Sequence, residues 1–567
     1  MMATLHRLTG HSRESETERR LIRWDCLFLS LIVLAFALPF WKSLGFYSDD
    51  WAFLSSMTFC DNHTISGQWA CLVSDSPETR LRPIQALERY LMYKAFGLEP
   101  VGYHVVNSLI FCAAVVLLYL LLRQLNFSRV TSLCVALLFG SLPHYSADRF
   151  WISAAEANLS MALCFLSFWA AAKASGGLNR KSSVWLAVSL ISMVGSAFAY
   201  EMTVPLFVIL PFILYVRLRH APVSLQSRAR HNYVWPLIAV AATWTVVFLY
   251  KANTRVTFTW QFRNLRRLWP LAGHCLREYL YFNFGSFGLG LPWLAWRSVI
   301  TWWNPPLAMI SMALLAVIPP YLCAAMWGSP ETPRLRSHSI ALVLAGTVVY
   351  GLGYVLFFFL SADFAGITGD DNRVTMASAV GTAVAMIGIF GLACSFVPMR
   401  FRLGLLCLVV GVYCAGGFAV VSTIGAFWPA ASKEQHAVLD ELRTRLPALD
   451  RGTVLLLDGV CPYAGPAVVF ETDWDVTGAL RILYRDPTLS GNIIDPNVKI
   501  LPDRIMRSFY GEEVSYPFGK NLVLYHVGRH ETCRLVDAKA AQDCLEKGNF
   551  REGVCPASEA GRGVPVY

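Results

Sequence analysis

Long apolar runs recur through the first three quarters of the chain, and the short segments joining them alternate between basic and acidic. This constrains the fold more than any other feature of the 567 residues. About 20 apolar residues cross the hydrocarbon core as a helix, which satisfies its own backbone where water is absent. Eleven runs read as spans: 24–42, 103–122, 130–143, 157–172, 183–199, 203–216, 233–250, 303–325, 339–360, 376–396 and 403–426. The third and sixth are the shortest. With 55% hydrophobic and 15% charged residues, the fold class expected is an α-helical polytopic membrane protein with about 11 transmembrane helices. A string of soluble domains is excluded. A polar segment, 1–23, precedes the first run and no small-residue cleavage site follows it, so a cleaved signal peptide is not expected.

Lys and Arg in the short connections set the orientation. Arg7, Arg13, Arg19, Arg20 and Arg23 lie on one side, followed there by Arg123 and Arg129, then Lys173, Arg180 and Lys181. "RLRHAPVSLQSRARH", "PRLRSH" and "MRFR" fall on the same side, whereas "SDDW", "SADRFW", "YE" and "DFAGITGDDNR" fall opposite. The N-terminus is therefore expected in the cytoplasm and the C-terminal tail outside it. One connection, 251–302, is basic although it lies outside. Its "FRNLRRLWPLAGHCLREYLYF" reads either as an interfacial helix on anionic headgroups or as cations facing a phosphorylated ligand.

The chain divides into the cytoplasmic segment 1–23, a transmembrane region 24–427 with a first outer loop at 43–102, and an outer domain 428–567. In that loop "RLRPIQALERYLMYKAFGLEP" reads as an amphipathic helix opened by Pro83. In the tail, "SKEQHAVLDELRTRLP" reads as a helix capped by Ser432 and Gln435 and stopped before Pro447. "GTVLLLDGV", "PAVVFE" and "NLVLYHV" read as strands and "VTGALRILYRD" as a helix, which makes a small α/β domain. Asp473 and Asp475 fit a loop or cap better than a ligand site. Of fifteen cysteines, eight sit in or beside the spans and behave as small hydrophobes. The outer segments hold Cys60 and Cys71, expected to pair, then Cys275, and four in the tail whose connectivity the spacing leaves open.

Charged groups at a membrane edge are costly and so are candidates for function. They gather on the outer side: Asp49, Asp50, Arg82, His104, His144, Asp148, Arg149, Glu156, Glu201, Asp370, Asp371 and Arg373. Carboxylates mixed with cations suit a reaction in which a base deprotonates an acceptor while Arg or Lys holds a phosphate leaving group. Asp49 and Asp50 diverge by ~100° if helical, so only one can face a given cavity. Each has a plainer reading. An acidic pair in a loop is commonly a solvated turn, the histidines are interfacial side chains, Arg149 pairs with Asp148, and Glu201 marks a wet turn. No P-loop, GxGxxG, GxSxG or HExxH is present, and no Cys/His spacing suggests zinc.

Four stretches, in order, resemble the membrane-embedded glycosyltransferases of the GT-C class, especially the protein O-mannosyltransferase-like group. They are "GFYSDDW", "RLRPIQALERYLMYKAFGLEPVGYHVVNSLIF", "FGSLPHYSADRFWISAAEANL" and "AFAYEMTVPLFVILP", covering residues 45–215. The second is the most specific. "GDDNRVTMASA" resembles a loop of that class in which Arg meets the donor phosphate. The third departs from the pattern, with Pro143-His144 where His-Pro is common.

The resemblance implies the GT-C fold and an inverting transfer of a pentose or hexose from a polyprenyl-phosphate donor to a glycan, lipid or protein hydroxyl on the outer face. Asp49 becomes the expected base, with Asp50 orienting acceptor or backbone. Arg373 is expected on the donor phosphate, backed by Arg82, Lys251 and Arg255, while Glu201, His104, His144 and Asp148 are cavity residues. No metal or other cofactor is expected. The partners expected are the lipid-linked donor, the acceptor and membrane lipids, with no nucleic acid, and the location expected is a bacterial inner membrane. A transporter or flippase is the first alternative, though its charges would sit mid-membrane rather than at one edge. A scaffold with an outer binding domain is the second.

Overall fold

The computed structural model describes residues 2–175, 180–219, 234–254, 273, 276–277, 279–326, 335–360, 369–494, 498–509 and 512–547. The bundle is built from α1 (Met2–Ala37), α2 (Asp49–Thr58), α3 (Ile65–Asp75), α4 (Pro77–Leu81), α5 (Pro83–Phe96), α6 (Pro100–Gln124), α7 (Arg129–Ser141), α8 (Ala147–Phe150), α9 (Ala155–Ala174), α10 (Arg180–Ala199), α11 (Leu210–Arg219), α12 (Val234–Asn253), α13 (Leu291–Thr301), α14 (Pro305–Met326), α15 (Leu335–Leu360), α16 (Met376–Cys394) and α17 (Met399–Arg445). Among the described residues, eight helices are long and apolar enough to cross a membrane, and two shorter apolar helices fall on the short third and sixth runs. The protein is an integral membrane protein by these criteria. Phe248 (71% exposed), Met309 (66%) and Leu344 (63%) project outward from α12, α14 and α15, as side chains that meet lipid rather than water would.

Two packing devices hold the bundle. α15 and α16 approach along a glycine seam. A Cβ at Gly381 would lie 2.2 Å from the Tyr350 amide nitrogen, and one at Gly346 would lie 2.4 Å from that of Ala385. Small residues allow such contact, and close packing is what drives helix association in lipid. At the end of the bundle away from the C-terminal domain, the fully buried Asp25 accepts from Arg129 at 2.6 and 2.8 Å, from Tyr119 at 2.5 Å and from Tyr321 at 2.7 Å. One carboxylate thereby joins α1, α6, α7 and α14. Nothing in the local sequence around Asp25 announces this clamp.

Between α1 and α6 the first loop folds into the short helices α2 to α5. Pro83 opens α5, as the sequence suggests, and Gly97, at φ 56°, closes it. Cys60 and Cys71 are bonded, and the eight cysteines of the spans are free.

The C-terminal domain adds α18 (Asp473–Tyr484) and α19 (Ala538–Lys547) to strands β1 (Val454–Asp458), β2 (Tyr463–Ala464), β3 (Ala467–Val468), β4 (Ser490–Ile493), β5 (Val498–Ile500), β6 (Arg504–Phe509), β7 (Glu512–Pro517), β8 (Leu522–His526) and β9 (Glu531–Arg534). The main sheet runs β4-β1-β8-β9, parallel except for β9. The unbroken "VLLL" of β1 suits a strand covered on both faces, and Leu455, Leu456 and Leu457 are buried. "PAVVFE" supplies only the two-residue β3, because Val469 onward turns toward α18. The β5-β6-β7 meander went unread in the sequence. Cys533 bonds Cys544, and Cys461 is also disulfide-bonded. Cys275 and Cys555 lie outside the described residues, as does most of "FRNLRRLWPLAGHCLREYLYF".

The helix expected to start at Ser432 has no start there. α17 runs unbroken from Met399 to Arg445, through Pro429. Proline removes one hydrogen bond from a helix, but packing on both sides outweighs that loss. Trp428 and Ala431 are buried, and the Trp428 carbonyl accepts the Tyr47 hydroxyl at 2.8 Å. The expected stop before Pro447 is where α17 ends.

α18 lies on α2 at backbone contact. A Cβ on Gly478 would sit 2.3 Å from the Trp51 carbonyl oxygen. Gly478→Ala is therefore expected to push the domain off the first loop, at a cost of about 1–3 kcal/mol. Protease sensitivity of the 446–472 segment in otherwise inserted protein would measure it. Unchanged cleavage would show that the interface has room.

Candidate functional site

The segment 143–156, between α7 and α9, is where the motif stretches meet. Two short 3-10 turns and α8 carry it across the end of the bundle, and nearly every side chain is buried. From the first loop, Asp50 accepts from the Ser153 amide at 2.8 Å and hydroxyl at 2.6 Å. The Trp151 indole donates to the Tyr47 carbonyl at 3.0 Å. From the loop before α16, Asn372 accepts from the Ala147 amide at 3.0 Å and donates to the Ser146 hydroxyl at 2.8 Å, while Thr375 donates to the His144 carbonyl. The Arg373 guanidinium stacks 4.8 Å above the Trp151 ring. Trp151 thus touches the segment that carries the acidic pair with one edge and the proposed phosphate ligand with one face.

The two aspartates separate as adjacent helical residues must. Asp50 is fully buried and its second oxygen accepts the Tyr47 amide at 2.9 Å. Burial pushes its carboxyl up to about 7, against the opposing pull of the Ser153 and Tyr47 donors. It organises backbone. Asp49, first residue of α2, is half-buried. Asp50→Asn would turn an amide NH2 toward at least one of two fixed backbone N–H donors. It is expected to cost about 1–3 kcal/mol, read as a lower midpoint of thermal unfolding. An unchanged midpoint would remove Asp50 from this bracing role.

A charged cluster sits beside it. Arg82 forms a two-pronged bond to Glu201 at 2.9 and 3.0 Å, reaches Glu156 at 3.4 Å, and lies 4.4 Å over the Tyr200 ring. Lys251 is 3.2 Å from Glu201. Gln85 donates to Glu156 at 2.5 Å, and Arg89 approaches the same carboxylate at 3.9 Å. Arg82, Lys251 and Arg89 thus face Glu201 and Glu156, with the Glu88 carboxyl close to Glu156 and Arg89 as well. Arg255 lies outside the described residues.

The remaining candidates divide. His104 is fully buried and its Nε2 donates to the Gly45 carbonyl at 2.9 Å, bracing the turn before Asp49. His144 does the same to the Asn283 carbonyl at 3.0 Å. Asp148 has its backbone carbonyl held by Asn107 and Asn158, at 2.9 and 2.6 Å, while both carboxylate oxygens are buried without a hydrogen bond among the described residues. Burial, and then the charge of Glu156, hold it well above the usual carboxylate range. Arg149 does not pair with Asp148. It donates to the Gly140 carbonyl at 2.8 Å and sits among the rings of Phe36, Phe111 and Tyr145. Its charge thus falls on the carbonyl end of α7, where a cation is favoured.

Sequence reasoning left out Trp151, Ser153, Gln85 and Asn372. Ser153 and Trp151 lie within the quoted "WIS", so the signal was present as a motif without a role. Asn372 precedes Arg373 and gave no separate signal. Among the described residues no three His, Cys, Asp or Glu side chains are grouped as metal ligands.

No protein-family model matches the sequence, and no curated protein is similar to it in sequence. Among solved structures, ArnT from Cupriavidus metallidurans bound to undecaprenyl phosphate is 14% identical, with a TM-score of 0.35, over 82% of this chain and 85% of that one. The same protein in the apo state is 12% identical at a TM-score of 0.38, over 82% and 84%. The apo oligosaccharyltransferase of Archaeoglobus fulgidus is 10% identical at a TM-score of 0.38, over 77% of this chain and 62% of that one.

Proposed function

We propose that the chain is an inverting glycosyltransferase of the GT-C type, which moves a sugar from a polyprenyl-phosphate donor to a hydroxyl acceptor at the membrane face carrying the C-terminal domain. The observation that supports this reading best is the convergence on residues 143–156. The stretches that resemble the class in sequence, far apart along the chain, interlock there through Asp50–Ser153, Tyr47–Trp151, Arg82–Glu156 and Arg373–Trp151.

In this reading Asp49 accepts the acceptor's hydroxyl proton as the oxygen attacks the anomeric carbon. A hydroxyl is too weak an acid to ionise alone, so this transfer is worth about a hundredfold to ten-thousandfold in rate. The bond from the anomeric carbon to the phosphate oxygen breaks on the opposite side, and its electron pair leaves with the polyprenyl phosphate. Arg373, held flat by Trp151, meets the added negative charge, and the Arg82–Lys251 cluster supplies positive potential behind it. The prenyl chain stays among the apolar side chains facing lipid.

The test is to incubate full-length protein in nanodiscs with decaprenyl- and undecaprenyl-phosphate pentoses and hexoses, and follow the donors by mass spectrometry. Consumption of one donor with release of polyprenyl phosphate is expected. Exchange of labelled donor across proteoliposomes with no covalent product would replace the reading with a transporter.

A further inference from the structure

Ser48, the residue just before the proposed base, is held from the C-terminal domain. Its backbone lies at φ 45°, ψ −120°, a conformation that favours glycine and that other residues keep only where surroundings enforce it. Ser48 stands where a serine would ordinarily cap the helix it opens, yet its side chain makes no such bond to α2. Its hydroxyl instead donates to Glu471 at 2.6 Å, across more than four hundred residues of chain, and both residues are buried. The second oxygen of Glu471 accepts from Tyr463 at 2.7 Å. The Glu471 amide donates to Asp475 at 2.7 Å, and Asp475 also accepts the Thr472 amide at 3.1 Å, which fixes this corner on the first turn of α18.

The neighbours of Ser48 are held from the other side. Tyr47 gives its carbonyl to Trp151, its amide to Asp50 and its hydroxyl to the Trp428 carbonyl. The peptide leading into Asp49 is therefore gripped by the bundle at residue 47 and by the domain at residue 48. An unfavoured turn between two grips sets the direction in which α2 begins, and Asp49 is its first residue.

We infer that Glu471 is a positioning residue for the transfer reaction: through Ser48 it fixes the first turn of α2 and so the direction of the Asp49 carboxylate. The C-terminal domain then completes the catalytic site. This rests on Asp49 being the base.

The experiment compares wild type, Glu471→Ala, Glu471→Gln, Ser48→Ala, the Glu471→Ala/Ser48→Ala pair and Asp49→Asn. Each is full-length in nanodiscs and assayed for donor consumption with the polyprenyl-phosphate sugars above. Glu471→Ala and Ser48→Ala are expected to lower kcat about ten- to a hundredfold with donor KM unchanged, because a misdirected base affects the transition state and not donor binding. The double variant is expected to be no slower than either single one, since both remove one link. Glu471→Gln keeps an acceptor for Ser48 and a donor for Tyr463, and is expected to recover most of the rate. Hydrogen exchange of the residue 49–54 amides is expected to rise in Glu471→Ala while the spans stay protected. Wild-type kcat in Glu471→Ala alongside inactive Asp49→Asn would overturn the positioning role and leave the base in place. Active Asp49→Asn would overturn the base itself. Multiplying losses in the double variant would show that the two residues act separately. Should Glu471→Ala not insert, Ser48→Ala and Glu471→Gln decide the question alone.

Discussion

Asp49→Asn is expected to abolish sugar transfer to within detection, a loss of about a hundredfold to ten-thousandfold, while the protein still inserts. Asparagine has the same shape but cannot accept a proton. Asp49 is half-buried at the start of α2, whereas Asp50 carries the three bonds that hold this turn. The opposite pattern is thus expected of Asp50→Asn, which loses stability first and rate only as a consequence. Turnover and thermal unfolding measured on both variants separate the roles. Equal turnover by Asp49→Asn and wild type would remove Asp49 from the chemistry.

Arg82→Ala is expected to cost about 3–5 kcal/mol of stability even with no donor present. Both edges of the guanidinium face carboxylates, Glu201 and Glu156, and its face covers Tyr200. Removal leaves two largely buried carboxylates to Lys251 and Arg89, the second at 3.9 Å. Arg82→Lys restores charge without the fork and is expected to recover less than half of the loss. Thermal unfolding in detergent without ligand measures both. If Arg82→Ala unfolds as wild type does but needs more donor, Arg82 is a phosphate ligand and not a strut.

Much of the fold was legible because lipid makes the rules simple. Among the described residues, eight of the eleven apolar runs fall on helices long and apolar enough to cross a membrane and the third and sixth on shorter ones, and Pro83 opens α5 where its backbone preference says it should. The helix through Pro429 was misread because local propensity favours a break, and only tertiary contacts at Trp428 and Ala431 show why none occurs. The short, half-exposed strands β5 to β7 carry little apolar alternation and left no signal. In the site, charge type was readable but direction was not. Sequence placed Asp148 beside Arg149 and suggested a pair, whereas α8 turns one toward the interior, with no hydrogen bond to its carboxylate among the described residues, and the other onto the carbonyl end of α7. Glu471 gave no warning at all, since its partner lies at residue 48.

The 47-residue α17 is about 70 Å long at 1.5 Å per residue, over twice the ~30 Å thickness of a hydrocarbon core. Membrane segment and tail therefore share one continuous girder, and the chain has no seam at which to be divided for study. A soluble fragment beginning near residue 430 would start in mid-helix and lose the Trp428 carbonyl that anchors Tyr47. A chimera that exchanges tails between related chains should be joined beyond Arg445 with the matching 45–57 segment carried along, which keeps Ser48 with Glu471 but requires Trp151 and Trp428 of the host to fit the new Tyr47.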